Sequence, residues 1–265
     1  FSWAPRGVLL ASRNGARYWR DNHVIEVEPE RLFRDMHLLH VPGGGDFEAY
    51  PNRDSMEYRD IYGLGDEVRS VFRGTLRYIG WCDTMYNFRK IGLLDLEEVD
   101  VRDKTYAGFV RDLVKAAEGQ ETRVAVARRM GVPPDALPPW NLDWLGMYED
   151  REIGADHISP LDALGKLMFE KLAYAPGERD MIVLYHDFRA EFPDGSEERI
   201  TSRLIDFGIP DGDSAMSRTV SLPAAIAVRL ILDGSFAAPG VRRRNSWSSA
   251  PSPARTSLKC PRSPS

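Results

Sequence analysis

The sequence predicts an α+β fold, a β-sheet body with a helical insertion, and three patterns carry that reading. Met181–Phe192 and Arg199–Phe207 are rich in β-branched and aromatic residues and flank Pro193-Asp194-Gly195-Ser196, the make-up of a long hairpin closed by a tight turn. Tyr106, Phe109, Val110, Leu113, Val114 and Ala117 recur at helical spacing and mark an amphipathic helix. Ser159-Pro160-Leu161-Asp162 joins a capping residue to a proline at the first helical position, and Leu161, Leu164, Leu167, Met168 and Leu172 then supply a stripe to bury.

The remaining elements follow in chain order. Gly7–Ser12 and His23–Glu28 read as strands, the second opened by a turn at Asp21-Asn22. Gly43-Gly44-Gly45 is a loop without phosphate-binding logic, because no helix opening on Lys-Ser or Lys-Thr follows. Tyr50-Pro-Asn-Arg-Asp-Ser55 reads as a turn into a helix over Met56–Tyr62, with Asp54 or Ser55 as cap and Gly63 as stop. Val71–Tyr78 reads as a strand. Residues 84–164 form the all-helical insertion; Trp140, Trp144 and Tyr148, four residues apart, are expected in its core, and Met130–Pro134 and Pro138-Pro139 punctuate loops. A final apolar helix runs from about Ser214 to Leu232 and stops at Asp233-Gly234, with Pro223 kinking it or opening a new first turn.

Composition bounds the class. A chain of 265 residues, 43% apolar, can bury a sizeable core. No continuous apolar run approaches the roughly 18 residues of a membrane span, and Phe1-Ser-Trp-Ala-Pro-Arg6 lacks a signal pattern, so neither membrane nor secretion is expected. The missing initiator Met suggests an incomplete chain. Cys82 and Cys260 cannot make a disulfide framework and have no metal-ligand neighbours; a reducing compartment is expected, the cytoplasm or, alternatively, the mitochondrion. The net charge of −5 argues against nucleic acid. Against that balance, Arg242, Arg243, Arg244, Arg255, Lys259 and Arg262 sit without any acid in a Ser/Pro-rich stretch, so residues 236–265 read as a disordered or aberrant tail.

The chemistry lies in the arginines. Arg53, and the pair Arg73 and Arg77 in Arg-Gly-Thr-Leu-Arg-Tyr, place three guanidinium forks within one short stretch of an acidic chain. A strand period of two puts Arg73, Thr75 and Arg77 on one face and Phe72, Leu76 and Tyr78 on the other. Arg53 would sit beside the open N–H groups of a helix start. Such forks hold carboxylates by paired, charge-assisted bonds, which points to a small ligand with several carboxylates. Other chemistries fit less well. Gly212-Asp213-Ser214 suggests an esterase nucleophile, but no His follows it. His37 and His40 have a spacing that suits one helical face, without the carboxylate or Cys that would complete a zinc site. No Gly-x-Gly-x-x-Gly and no Walker loop occurs, so no cofactor is bound by a recognisable motif.

Five stretches resemble, in order, the C-terminal part of the L-glutamate-forming saccharopine dehydrogenase family: Phe1–Leu10, Tyr50–Ser55, Arg73–Tyr78, Pro176–Met181 and Ser214–Val220. The resemblance runs to about Gly240 and is loose between 95 and 155. It implies a mixed-sheet substrate-binding and dimerisation domain of the glyceraldehyde-3-phosphate-dehydrogenase-like C-terminal type over 1–83 and 165–235, with 84–164 inserted. It also implies an NADP- or NAD-dependent oxidoreductase of lysine metabolism, a homodimer, and saccharopine, a tricarboxylate, as substrate. By motif, Trp3, Asn52, Arg53, Arg73, Thr75 and Arg77 would contact that substrate. The family's Rossmann domain and proton-handling residues have no counterpart here, so the chain alone is expected to be inactive, with no catalytic residue of its own. Asp213 stands where relatives usually carry an aromatic residue. A non-catalytic anion-binding domain that keeps the fold is the competing expectation.

Overall fold

A computed structural model describes residues 5–236; Trp3, Cys260 and nearly all of the 236–265 tail lie outside the described residues. The chain opens with α1 (Pro5–Ala11), where a strand over Gly7–Ser12 was expected. The correction has a local cause. Pro5 starts a helix without loss of a needed N–H, and Val8 and Leu9 become neighbours on one buried face against α7 (Pro160–Lys171). Ser12 closes the turn by donating its hydroxyl to the Val8 carbonyl at 2.9 Å.

β1 (Ala16–Arg20) and β2 (His23–Val27) form the anticipated hairpin. Asp21 and Asn22, at φ 49° and 64°, supply the two left-handed positions that such a turn requires. β3 (His37–Val41), β4 (Gly45–Pro51) and β5 (Gly74–Tyr78) make a three-stranded antiparallel sheet in that order, with α2 (Glu57–Ile61) in the β4–β5 connection. Val71 lies outside β5 and pairs with Trp19 in an isolated bridge, so the regular strand is shorter than the sequence suggests.

α3 (Trp81–Lys90) leads into the helical region, in which β6 (Val99–Asp100) pairs with β7 (His157–Ile158) around α4 (Tyr106–Val114), α5 (Thr122–Met130) and α6 (Leu137–Leu145). The periodic stripe of α4 is buried at Tyr106, Phe109, Val110 and Val114, and Lys115, at φ 55°, ends the helix before Ala117. Pro138-Pro139 lies within α6, near its start, instead of in a loop. The tryptophans are a second correction. Pro138, Leu142 and Leu145 form the buried side of α6, while Trp140 and Trp144 remain 49% and 43% exposed, because their row is offset from the packed one. α7 follows the sequence closely: Ser159 accepts the Asp162 N–H at 3.1 Å, and Leu161, Leu164, Leu167 and Met168 are buried. One hydrophobic cluster joins Leu9, Tyr18, Phe88, Met130, Leu142 and Leu164, so the small sheets and the helices share a core.

β8 (Met181–Glu191) and β9 (Glu197–Phe207) are the predicted hairpin, in register from Met181↔Phe207 to Glu191↔Glu197. Among the described residues they pair only with each other. Among the described residues the β-structure is thus four small antiparallel sheets and not one mixed sheet, since long connections separate the hairpins and the three-stranded group. Asp180 ties the hairpin to α8 (Ala215–Leu232). It is 4% exposed, and its two carboxylate oxygens accept the Ala215 and Met216 N–H groups at 2.7 and 2.9 Å, satisfying two donors of the α8 start. Ser214 adds a cap through its hydroxyl, which accepts the Ser217 N–H at 3.0 Å. α8 runs through Pro223 without a break. By length and average composition its 18 residues could cross a bilayer, although they hold no continuous apolar run of that length. Arg218, Thr219, Ser221, Pro223 and Arg229 interrupt the apolar sequence.

Candidate functional site

The β4–β5 register assembles the site. Pro51, Tyr50, Ala49 and Glu48 lie opposite Gly74, Thr75, Leu76 and Arg77, so alternation puts Glu48, Tyr50, Thr75 and Arg77 on one face. The Asn52 N–H donates to the Arg73 carbonyl at 2.9 Å and extends that row by one pair. Asn52 then donates its side-chain amide to the Thr75 hydroxyl at 2.9 Å. Gly74 leaves room here, because a Cβ would lie 2.7 Å from the Phe72 ring and 3.3 Å from the Tyr50 carbonyl, so a side chain would have to displace that ring. This explains the glycine inside the Arg-Gly-Thr motif.

Each arginine of the row is seated on an aromatic ring. The Arg73 guanidinium carbon is 5.2 Å from the Tyr58 ring centre, and that of Arg77 is 5.3 Å from Trp81. Arg77 also donates to the Leu76 carbonyl at 3.3 Å, and the Arg73 backbone N–H donates to Ser55 Oγ at 3.2 Å. Among the described residues neither guanidinium is paired with a carboxylate, whereas Arg59, Arg89, Arg123 and Arg199 each are. Tyr50 is 7% exposed; burial pushes its hydroxyl above the ordinary value, with the positive charge of Arg77 opposing.

Asn52, Arg73, Thr75 and Arg77 all line a cavity of about 2910 Å³ that Trp81, Thr84, Asn141 and Trp144 bound from the helical side. Asn141 is fixed there by donating to Thr84 Oγ1 at 2.7 Å. The cavity exceeds the roughly 300–1,000 Å³ of a small-ligand pocket, so a ligand held by this row would fill a part of it. Residues of both sheet faces line it, Leu39 and Phe47 as well as Arg77, which means that it wraps around the outer edge of β5 and reaches the β8–β9 hairpin.

Arg53 stands apart. Its backbone is left-handed at φ 54°, its carbonyl accepts the Arg17 N–H at 2.9 Å, and it borders a separate hollow of about 570 Å³ with Glu26, Glu28 and Asp54. The N–H groups expected to lie open beside it are partly taken, since Asp54 Oδ1 accepts the Met56 N–H at 2.8 Å. His37 and His40 are on β3, where a spacing of three places them on opposite faces. Burial, and then the charge of Arg20, holds the His37 imidazole below its usual pKa. Ser214 is the helix cap described above, a role that engages its hydroxyl.

Two residues at the site carry no signal in the sequence. Glu48 is 4% exposed and accepts the Gly80 and Cys82 N–H groups, at 2.9 Å on Oε1 and 2.7 Å on Oε2, which caps α3. Trp81 borders the cavity and supports Arg77. Only the abrupt Gly80-Trp81 start of α3, with Gly80 at φ 96°, could have pointed to them.

Comparisons with known proteins identify the family. A family model for the saccharopine dehydrogenase C-terminal domain matches residues 1–257. The chain belongs to the saccharopine dehydrogenase family. It is 34% identical over 255 residues to the NADP(+), L-glutamate-forming saccharopine dehydrogenase of Saccharomyces cerevisiae, covering 91% of this chain and 55% of that protein. It is 36% identical over 251 residues to the enzyme of the same name from Pyricularia oryzae, again covering 91% of the chain and 55% of the relative. The mitochondrial alpha-aminoadipic semialdehyde synthase of Bos taurus is 35% identical over 251 residues, which are 91% of the chain and 27% of that protein. The solved structure of the yeast saccharopine dehydrogenase superposes with a TM-score of 0.81 at 33% identity, over 91% of this chain and 55% of that one. The chain therefore spans about half the length of its fungal relatives and about a quarter of the bovine one.

Proposed function

We propose that this chain is the substrate-binding part of an oxidoreductase of lysine metabolism that interconverts saccharopine with L-glutamate and 2-aminoadipate 6-semialdehyde. The carrying observation is the pair Arg73 and Arg77, unpaired with any acid among the described residues, on one sheet face with Asn52 and Thr75 and open to the cavity. Saccharopine bears three carboxylates, and two forks on one strand face, four residues and so about 13 Å apart along the backbone, can each take one. Asn52 and Thr75, held to each other, present further hydrogen-bonding atoms between those forks.

The chemistry of this chain is orientation. NADP, named for the fungal relatives, would supply hydride transfer at the carbon bonded to the secondary amine, and NAD is the alternative. We place the cofactor in the part of those enzymes that this chain does not match, because no dinucleotide motif occurs here. Arg73 and Arg77 would fix the conjugate so that its reacting carbon is presented in one pose. Arg53 and Trp3, drawn in by motif, complete the proposed contacts; Arg53, bordering a different hollow, is assigned the weaker part. We further propose residues 84–164 as an insertion in a glyceraldehyde-3-phosphate-dehydrogenase-like domain, α8 and the β8–β9 hairpin as contributors to a homodimer, and a reducing compartment, cytoplasm or mitochondrion, for a protein with free, buried Cys82.

Titration calorimetry of the full chain with saccharopine and with lysine tests the assignment. Saccharopine is expected to bind well above lysine, and Arg73→Ala or Arg77→Ala to weaken it by about 1.5–3 kcal/mol, ten- to a hundredfold. Equal binding of saccharopine by the parent and both variants would refute it.

A further inference from the structure

The site contains a buried acid that the proposed reaction does not use. Glu48 lies directly opposite Arg77 across the β4–β5 pair. A buried carboxylate beside a guanidinium would ordinarily form an ion pair, and the fork would then be spent. Glu48 instead commits one oxygen to the Gly80 N–H and the other to the Cys82 N–H, at 2.9 and 2.7 Å. Those two donors belong to the start of α3, the helix on which Trp81 stands, and the Trp81 ring is the seat of Arg77.

We propose that Glu48 is a positioning residue for the ligand site: by locking the first turn of α3 to β4 it holds Trp81 under Arg77 and leaves that guanidinium free for a ligand carboxylate. This rests on the reading of Arg77 as a ligand contact. The geometry shows how one carboxylate serves both ends. Its negative charge meets the positive end of the α3 dipole, so its charge is satisfied by backbone donors. The Cys82 thiol, 0% exposed, feels that arrangement as well: burial first and then the neighbouring Glu48 push it far above its ordinary range, which keeps it an inert packing group. Gly80 completes the joint. At φ 96°, with a hypothetical Cβ only 2.4 Å from Leu137 on α6, it allows β5 to turn directly into α3 beneath the helical region. Loss of the Glu48 charge should release the α3 start, move the indole, and let Arg77 sample poses that miss the ligand.

A double-mutant cycle decides it, with saccharopine affinity of the full chain read by calorimetry and amide exchange read at Gly80, Trp81 and Cys82. Glu48→Gln keeps the shape but turns an NH₂ toward one of the two N–H groups. It is expected to weaken saccharopine about tenfold in the parent and in an Arg73→Ala background, to add less than about twofold in an Arg77→Ala background, and to deprotect the three amides. An equal loss in the Arg77→Ala background overturns the proposal, as does unchanged affinity in Glu48→Gln. If Arg77→Ala binds like the parent, the site assignment itself fails and this inference with it; if Arg77→Ala is weak and Glu48→Gln is not, this inference fails alone. Should Glu48→Gln not fold, Glu48→Asp, one methylene shorter and able to keep one N–H bond, runs the same cycle with the same criterion.

Discussion

Asp180→Ala is expected to unlatch α8. The side chain is 4% exposed and makes two charge-assisted bonds, to the Ala215 and Met216 N–H groups at 2.7 and 2.9 Å. Such bonds contribute about 1.5–3 kcal/mol each when a charged partner is removed. The full sum overstates the effect, because a water entering the space left by the carboxylate can bond the released donors; about 2–4 kcal/mol is the working figure. For a chain of this size each kcal/mol moves the melting temperature by about 2–4 °C, which gives a drop of about 5–15 °C. Two variants calibrate it. Asp180→Asn keeps one acceptor and opposes an NH₂ to the other N–H, so it should fall between parent and alanine. Ser214→Ala removes only the exposed bond to the Ser217 N–H and should cost about 1 kcal/mol. Calorimetric melting measures the order, and hydrogen exchange locates it, with protection lost first in α8. A melting point for Asp180→Ala within about 2 °C of the parent, with α8 amides still protected, would refute the claim that this carboxylate holds hairpin and helix together.

Further outcomes follow from the same contacts. Gly80→Ala, forced into φ 96° and against Leu137, should lose about 1–3 kcal/mol in denaturant titration, more than a glycine-to-alanine change on an exposed turn. Arg53→Ala should weaken saccharopine less than Arg73→Ala does in calorimetry, because Arg53 borders the other hollow; an equal loss would put both forks on one ligand. The Asp162 carboxyl is held below its usual pKa chiefly by its hydrogen bond to Arg6, so this stabilisation is present above the unfolded value of about 4 and lost as pH falls through the lower folded value. Melting of the parent and Arg6→Ala should therefore differ at pH 6 and converge toward pH 2.

What the sequence disclosed was what local spacing controls. Arg73, Thr75 and Arg77 alternate on a strand, Ser159 and Pro160 open α7, and the Pro193–Ser196 turn sets the long hairpin, because each depends on neighbours within a few residues. The misreadings share a cause. Gly7–Ser12 is apolar enough for a strand, and Pro5 with the facing α7 makes it a helix; Trp140 and Trp144 have core spacing, but which row of α6 is buried depends on the helices packed against it. Arg53, grouped with its fellow arginines by nearness in sequence and by motif, has a left-handed backbone and borders another hollow, so its part at the ligand stays a proposal. Glu48 and Asp180 were silent for the same reason, since each caps a helix more than thirty residues further along the chain.

Those two caps bear on why an acidic chain can keep a cationic site. With a net charge of −5, carboxylates are abundant, and several arginines of the surface, Arg6, Arg89 and Arg199 among them, are paired with them. Arg77 has a buried acid as its direct cross-strand neighbour, yet that acid is occupied by backbone N–H groups of α3, which are permanent donors and compete with the guanidinium for its oxygens. Were the cap absent, an ion pair between Glu48 and Arg77 would be the nearest way to satisfy both, and a ligand carboxylate would have to displace it. On the proposed reading the helix start removes an internal competitor of the site, and the affinity for an anionic ligand would depend on a hydrogen-bonding decision made in the fold. Replacing both groups, as Glu48→Gln with Arg77→Lys, should then bind saccharopine more weakly than Arg77→Lys alone only to the extent that the α3 start still guides the shorter-forked cation, a margin that the exchange of the Gly80 and Cys82 amides would report directly.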